Sequence, residues 1–108
     1  MKELLEYINR NDEFTVSKPL PQVTTIKWGN GWVRFYLHIS KEESGYYRCI
    51  GAIVIARDDI SVEVVNVYKN LHSEKEMINL LEGMISSSLD LKKFMRNKHD
   101  YLNWGISK

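Results

Sequence analysis

The sequence has few of the residues that hold many small secreted or metal-binding domains together. It contains one cysteine, Cys49, among 108 residues, so no internal disulfide can form and a disulfide-stapled fold is excluded. Cys49 lies in an apolar run, where a lone thiol is expected to pack as a small hydrophobe. The two prolines, Pro19 and Pro21, fall close together. They restrict their neighbours and favour an extended connection or an edge segment there.

Long apolar runs and an excess of one charge are also missing. The formal net charge is +1, so no overall field favours nucleic acid as a partner. No apolar stretch approaches the roughly 20 residues that span a bilayer. The opening residues, Met1 to Glu6, are too acidic for a signal peptide. These features predict a cytoplasmic protein without a membrane partner.

Motifs that carry catalysis are not apparent either. The histidines His38, His72 and His99 are scattered and lack the spacing of metal ligands. The pair Asp58 and Asp59 is better suited to a tight turn than to acid–base chemistry. We therefore expect no enzyme, no metal and no cofactor.

The composition is that of an ordinary globular domain. Hydrophobic residues make up 44% and charged residues 27% of the chain, which argues against disorder. A chain of this length fits one domain, residues 1–108, with a core of its own.

Periodicity predicts an α+β fold with the order α-β-β-β-β-α. An N-terminal helix is expected over 2–10, an extended connection or edge segment over 13–21, strands over 23–28, 32–39, 46–56 and 61–68, and helical segments over 73–85 and 89–102. Ser73 and Glu76 fit a capping box at the start of the helical region. The pattern does not decide whether Ser86–Ser88 separates two C-terminal helices or lies within one. The four strands are expected to form an antiparallel meander.

The two predicted strands over 23–28 and 32–39 form the clearest local signal. Asn30-Gly31 between alternating runs favours a two-residue turn, which would pair Trp28 with Val33. That register separates an apolar face from a mixed one, whereas a one-residue slip would mix them. The expected apolar face comprises Ile26, Trp28, Val33, Phe35, Leu37, Ile39, Ile53, Ile55, Val62 and Val64, and the C-terminal helix should cover it.

The opposite face is expected to be half aliphatic and half aromatic and basic. Its members are Lys27, Trp32, Arg34, Tyr36, His38, Ile50, Ala52, Val54, Glu63, Val65 and Val67. A patch of this size needs a cover. Either the N-terminal helix or the segment after Ser88 packs on it, or a partner does. In this register Cys49 and His38 point to opposite faces, which argues against a nucleophilic dyad.

Aromatic and arginine side chains together are typical of protein-binding hot spots. The sequence therefore predicts a small non-enzymatic module that docks this face on a partner protein. It would be of an inhibitor, immunity or adaptor type, such as phages and mobile elements encode. Trp32, Arg34 and Tyr36 would be the central anchors, with Lys27, His38 and Arg48 at the rim. A homodimer that uses the same face is a further alternative.

Nucleic acid is the competing partner. Aromatic residues interleaved with basic ones on a sheet can stack bases and neutralise phosphates. A second basic cluster, Lys92, Lys93, Arg96 and Lys98, lies on the predicted C-terminal helix. The modest net charge and the tendency of a charged run to form a solvated helix face weigh against this alternative.

Overall fold

The computed structural model describes residues 1–29, 31–57 and 60–106, with side chains as far as residue 95. The turns predicted at Asn30-Gly31 and at Asp58-Asp59 therefore involve positions outside the described residues.

The chain forms a five-stranded antiparallel sheet with a helix at each end of the sequence. The elements are α1 (Lys2–Asn9), β1 (Phe14–Leu20), β2 (Val23–Trp28), β3 (Val33–Lys41), β4 (Tyr47–Arg57), β5 (Ile60–Leu71) and α2 (Glu74–Ile106). The strands follow one another in the order β1-β2-β3-β4-β5. This confirms the α+β class and the meander. The sheet has five strands rather than four because the segment predicted as a connection or edge forms the edge strand β1.

The C-terminal helical region is one helix. Half of the predicted capping box is present at its start: the Glu76 backbone N–H donates to Ser73 Oγ at 3.2 Å. The Glu76 carboxylate accepts from the His72 backbone N–H at 3.1 Å rather than from that of Ser73. The three serines do not end the helix, which continues through them. Ser88 is fully buried and lies on the same side of the helix as Met77, Leu81 and Met84.

Both helices lie on the same side of the sheet, which we call the helix face. Leu4 and Ile8 of α1 join Met77 and Leu81 of α2 in the core, and Tyr7 packs against Phe14 with ring centroids 6.0 Å apart. The sheet contributes Ile26, Trp28, Val33, Phe35, Leu37, Ile39, Cys49 and Ile53 to this core. The predicted apolar face of β2 and β3 is therefore confirmed, and α2 covers it.

The predicted β2–β3 register is wrong by two residues. Trp28 pairs with Phe35 rather than with Val33. Gly29, which has a φ of 90°, donates its N–H to the Glu13 carbonyl, and the Trp32 carbonyl accepts from Ala56. The connecting residues thus pair with the strands on either side instead of closing a two-residue hairpin. A shift of two residues leaves every side chain on its predicted face.

A bulge in β5 corrects the assignment of Val65 and Val67 to the mixed face. Val54 pairs with Glu63, but Ile53 pairs with Val65, so Val64 is an extra residue. The extra residue reverses the alternation for the rest of the strand. Val65 and Val67 consequently lie on the helix face.

Candidate binding surface

The side of the sheet away from the helices is a continuous surface that we call the open face. Alternation and pairing place on it Thr25, Lys27, Arg34, Tyr36, His38, Arg48, Ile50, Ala52, Val54, Glu63, Asn66 and Tyr68. Trp32 lies at one end of it, just before β3. No segment among the described residues packs on this face, because both helices occupy the other one.

A chain of polar contacts crosses the middle of the open face. The Tyr36 hydroxyl donates to Glu63 Oε1 at 2.7 Å, and the Tyr36 ring lies 5.1 Å from the His38 ring. His38 Nδ1 in turn is 2.8 Å from Thr25 Oγ1. The hydrogen bond to the Glu63 carboxylate is the main cause that raises the pKa of Tyr36. Strands β2, β3 and β5 are thus connected through side chains that hold Tyr36 and His38 in place.

An apolar strip on β4 runs beside this network. Ile50 is 42% exposed, whereas Ala52 is fully buried between its neighbours and Val54 is half-buried. Tyr68 on β5 is opposite Ile50 and is 61% exposed. The strip therefore presents accessible apolar and aromatic surface next to hydrogen-bonding groups.

Cationic side chains surround the strip. Lys27 and Arg34 are exposed at one end of the face. At this end of the sheet Arg57 lies 5.5 Å from the Trp32 ring centroid, a cation–π arrangement, although the pairing with Ile60 places Arg57 on the helix face. Towards the other end, Arg48 Nε forms an ion pair with Glu42 Oε1 at 3.4 Å, and Arg48 Nη2 donates to the Tyr46 hydroxyl at 3.3 Å.

All six predicted protein-contact residues lie on or beside the open face. They are spread along it and do not form one compact cluster. Tyr36 and His38 are central, Lys27, Arg34 and Trp32 lie at one end, and Arg48 lies at the other. Sequence reasoning missed Tyr68 and Asn66 because the bulge at Val64 cannot be read from the alternation. It also gave no indication of the Thr25–His38 contact.

The basic cluster on α2 lies on the other layer of the molecule. Lys93 is exposed and Lys92 is half-buried on a helix that packs on the helix face. The side chains of Arg96 and Lys98 are outside the described part of the chain. The two halves of the nucleic-acid surface that the sequence suggested are therefore separated by the sheet.

Cys49 and His38 lie on opposite faces, as predicted. Cys49 pairs with Ile39 on the helix face and is fully buried, whereas His38 is on the open face. Burial raises the pKa of the Cys49 thiol to about 11, so the reactive thiolate is a minor species at neutral pH. Across the described residues, no three His, Cys, Asp or Glu side chains gather in a way that could hold a metal ion.

Comparisons with known proteins add no relative: no family model, no curated protein and no solved structure matches the chain. Among the described helices, none combines the length and apolar character that a membrane crossing requires.

Proposed function

We propose that this protein is a non-enzymatic binding module that docks its open face on a partner protein, as an inhibitor, immunity or adaptor protein does. The observation that carries this proposal is the exposure of the face. Its apolar strip and the rings of Tyr36 and Tyr68 lie on a sheet face that no described segment covers, with Arg34 and Arg48 towards its two ends. Surfaces of this kind on soluble domains commonly mark interaction sites.

The arrangement of the face favours protein over other partners. Ile50, Ala52 and Val54 form a largely apolar strip, which Arg34 and Glu63 flank at Val54 and Arg48 follows beyond Ile50. Protein interfaces have the same plan, in which aromatic and arginine side chains surround a centre depleted of charge and a polar rim remains wet. Tyr36 and His38 are already oriented by hydrogen bonds, so little side-chain entropy is lost when a partner docks against them.

Single-stranded nucleic acid is the second candidate. The adjacent Tyr36 and His38 rings, with Lys27 and Arg34 nearby, favour it because such a sheet stacks bases and neutralises phosphates. Glu63 weighs against it, since this carboxylate lies beside Tyr36 at the middle of the face and would repel a phosphate backbone. The position of Lys92 and Lys93 on the opposite layer weighs against it as well.

Replacing an open-face aromatic residue tests the proposal. Trp32 is 41% exposed, so Trp32→Ala should leave the fold intact while it weakens partner binding by about 2 kcal/mol or more. Phe94→Ala is the matched control because Phe94 is an aromatic residue, 60% exposed, on the helix layer. Affinity is measured by titration against the captured partner, and folding by circular dichroism. A Trp32→Ala protein that loses stability and keeps its full affinity would show that the ring is structural and would refute its role as an anchor.

Salt dependence separates the two candidates. Binding through phosphates weakens steeply as salt is raised, because each neutralised phosphate releases counterions. Docking through the apolar strip is expected to respond weakly to salt and to survive nuclease treatment. Binding that disappears with nuclease would refute the protein-docking proposal and support the nucleic-acid one.

A further inference from the structure

The two edges of the sheet differ in their protection against pairing with another strand. At one edge, β1 carries Lys18 and Pro19, and its register is irregular between Ser17 and Leu20. Lysine, proline and irregularity are the usual means by which an edge strand avoids another strand. The β1 edge is therefore a poor template for further pairing.

The other edge, β5, is long and less protected than β1: it has a bulge at Val64 and one lysine, Lys69, but its pairing extends along the whole of β4. Its 12 residues extend over roughly 40 Å and include no proline. The exposed fractions of its apolar residues are high: Ile60 is 69% exposed, Val62 51% and Val65 44%. The main-chain N–H and C=O groups on its outer side have no strand partner among the described residues. Groups in such a row are satisfied best by another strand.

We propose that β5 pairs antiparallel with β5 of a second copy of this chain, which joins the two sheets into one of ten strands. This inference concerns the sheet edge and does not depend on the proposed function of the open face. A two-fold axis perpendicular to the sheet produces this pairing, and it places both open faces on the same side.

Self-complementarity of β5 argues for a second copy rather than a different strand. When two β5 strands overlap along their full length, the bulge residue Val64 of each strand is skipped, and every opposed pair lies on the same face. On the helix face the pairs are Ile60 with Leu71, Val62 with Lys69 and Val65 with Val67; on the open face they are Ser61 with Asn70, Glu63 with Tyr68 and Asn66 with itself. Apolar side chains thus meet mainly apolar ones, and polar side chains meet polar ones.

The pairing would close the assembly at two copies. Once both β5 edges are paired, the remaining edges are the two β1 strands, which Lys18 and Pro19 protect. We therefore expect a discrete dimer rather than a filament or aggregate.

The test uses the residue on the two-fold axis. Asn66 is exposed, so Asn66→Lys and Asn66→Glu should both fold, but each places like charges opposite one another in the dimer. Each variant alone is expected to dimerise about fivefold more weakly than the unmodified chain. An equimolar mixture should recover dimers, because the opposite charges then attract. Asn79→Lys is the control, since Asn79 is exposed on α2, away from the edge, and this variant should dimerise normally.

Sedimentation equilibrium from low micromolar protein to the solubility limit measures these constants. The proposal is supported if the unmodified chain and Asn79→Lys form dimers, the two Asn66 variants are weakened, and their mixture recovers. It is overturned if the unmodified chain is monomeric throughout, if it forms species larger than a dimer, or if the Asn66 substitutions leave dimerisation unchanged. Because Asn66 also lies on the open face, Ile50→Asp, which charges that face away from the β5 edge, separates the two interfaces. Ile50→Asp should leave the β5 dimer intact, and a dimer that Ile50→Asp abolishes would overturn the proposal.

Discussion

At the scale of single residues, the close approach of the β3 backbone explains why β4 has a glycine, Gly51, at its centre. Gly51 pairs with Leu37, and a Cβ atom at Gly51 would overlap the Tyr36 carbonyl oxygen and lie 3.0 Å from Leu37 Cα. Both neighbours belong to the backbone of β3, so neither can move without disturbing the centre of the sheet. The close approach of β4 to β3 therefore depends on the absence of a side chain here.

We predict that Gly51→Ala lowers the free energy of unfolding by about 2 kcal/mol or more, because the added methyl group overpacks a rigid site. Gly83→Ala is the matched control. Gly83 is exposed on α2 and has no atom within 4 Å of the added Cβ, so the better helix propensity of alanine should stabilise the protein by about 1 kcal/mol. Urea unfolding of both variants measures the difference. Equal midpoints for the two variants would contradict the close approach.

Ser88 has a buried hydroxyl group without a partner. The side chain is fully buried, and among the described residues its Oγ forms no hydrogen bond. A buried polar group in this state is destabilising. It is also the residue that made the C-terminal helix hard to predict, because a serine triad normally indicates a break rather than a packed turn.

Ser88→Ala is expected to raise the free energy of unfolding by about 1 kcal/mol, because it removes an unsatisfied hydroxyl and improves helix propensity. Ser87→Ala, at an exposed position of the same triad, should gain only about 0.5 kcal/mol from propensity. Thermal unfolding compares the two variants. A loss of stability in Ser88→Ala would show that the hydroxyl has a stabilising partner.

At the scale of elements, α2 begins where its local sequence dictates. Ser73 Oγ accepts from the Glu76 N–H within the first turn, and the Glu76 carboxylate accepts from the His72 N–H just before the helix. Ser73→Ala should therefore cost about 1 kcal/mol of stability. Lys75→Ala, an exposed change within the first turn, serves as the control and should be close to neutral. Urea midpoints measure both, and a neutral Ser73→Ala would contradict the cap.

The elements also show how far the sequence can predict this fold. The cap at Ser73, the alternation of β3 and the helical period of Met77, Leu81 and Met84 are local signals, and each predicted its element correctly. The β2–β3 register could not be predicted in the same way, because Gly29 bonds to Glu13 just before β1, and Trp32 bonds to Ala56 in β4. These are contacts between residues that are distant in sequence.

The candidate surface was predictable to a similar extent. Arg34, Tyr36 and His38 share a face by simple alternation along β3, and the structure has them on that face. Tyr68 could not be placed there, because the bulge at Val64 adds one residue to β5 and reverses the alternation after it. Sequence alone also could not decide whether a helix covers the face, since that depends on which side both helices choose.

At the scale of the whole molecule, the arrangement is two layers with unequal surfaces. Both helices and the core lie on the helix face, so the open face is left with an apolar strip, aromatic rings and arginines. The proposed β5 pairing would place two such faces side by side. A partner with two-fold symmetry or with repeated sites would then bind more tightly through both faces at once.

The central claim is that the open face binds a partner protein, and substitution at its centre tests this most directly. Ile50 is 42% exposed on the open face and Leu89 is 51% exposed on α2. Ile50→Asp and Leu89→Asp therefore place the same charge on opposite layers. The tagged chain and each variant are used to capture proteins from a lysate, with and without nuclease treatment. Quantitative mass spectrometry then compares the proteins that each one retains.

We predict that the unmodified chain and Leu89→Asp retain the same nuclease-resistant companion and that Ile50→Asp loses it while remaining folded. The account is contradicted if Ile50→Asp retains the companion in full. It is also contradicted if Leu89→Asp loses the companion and Ile50→Asp does not.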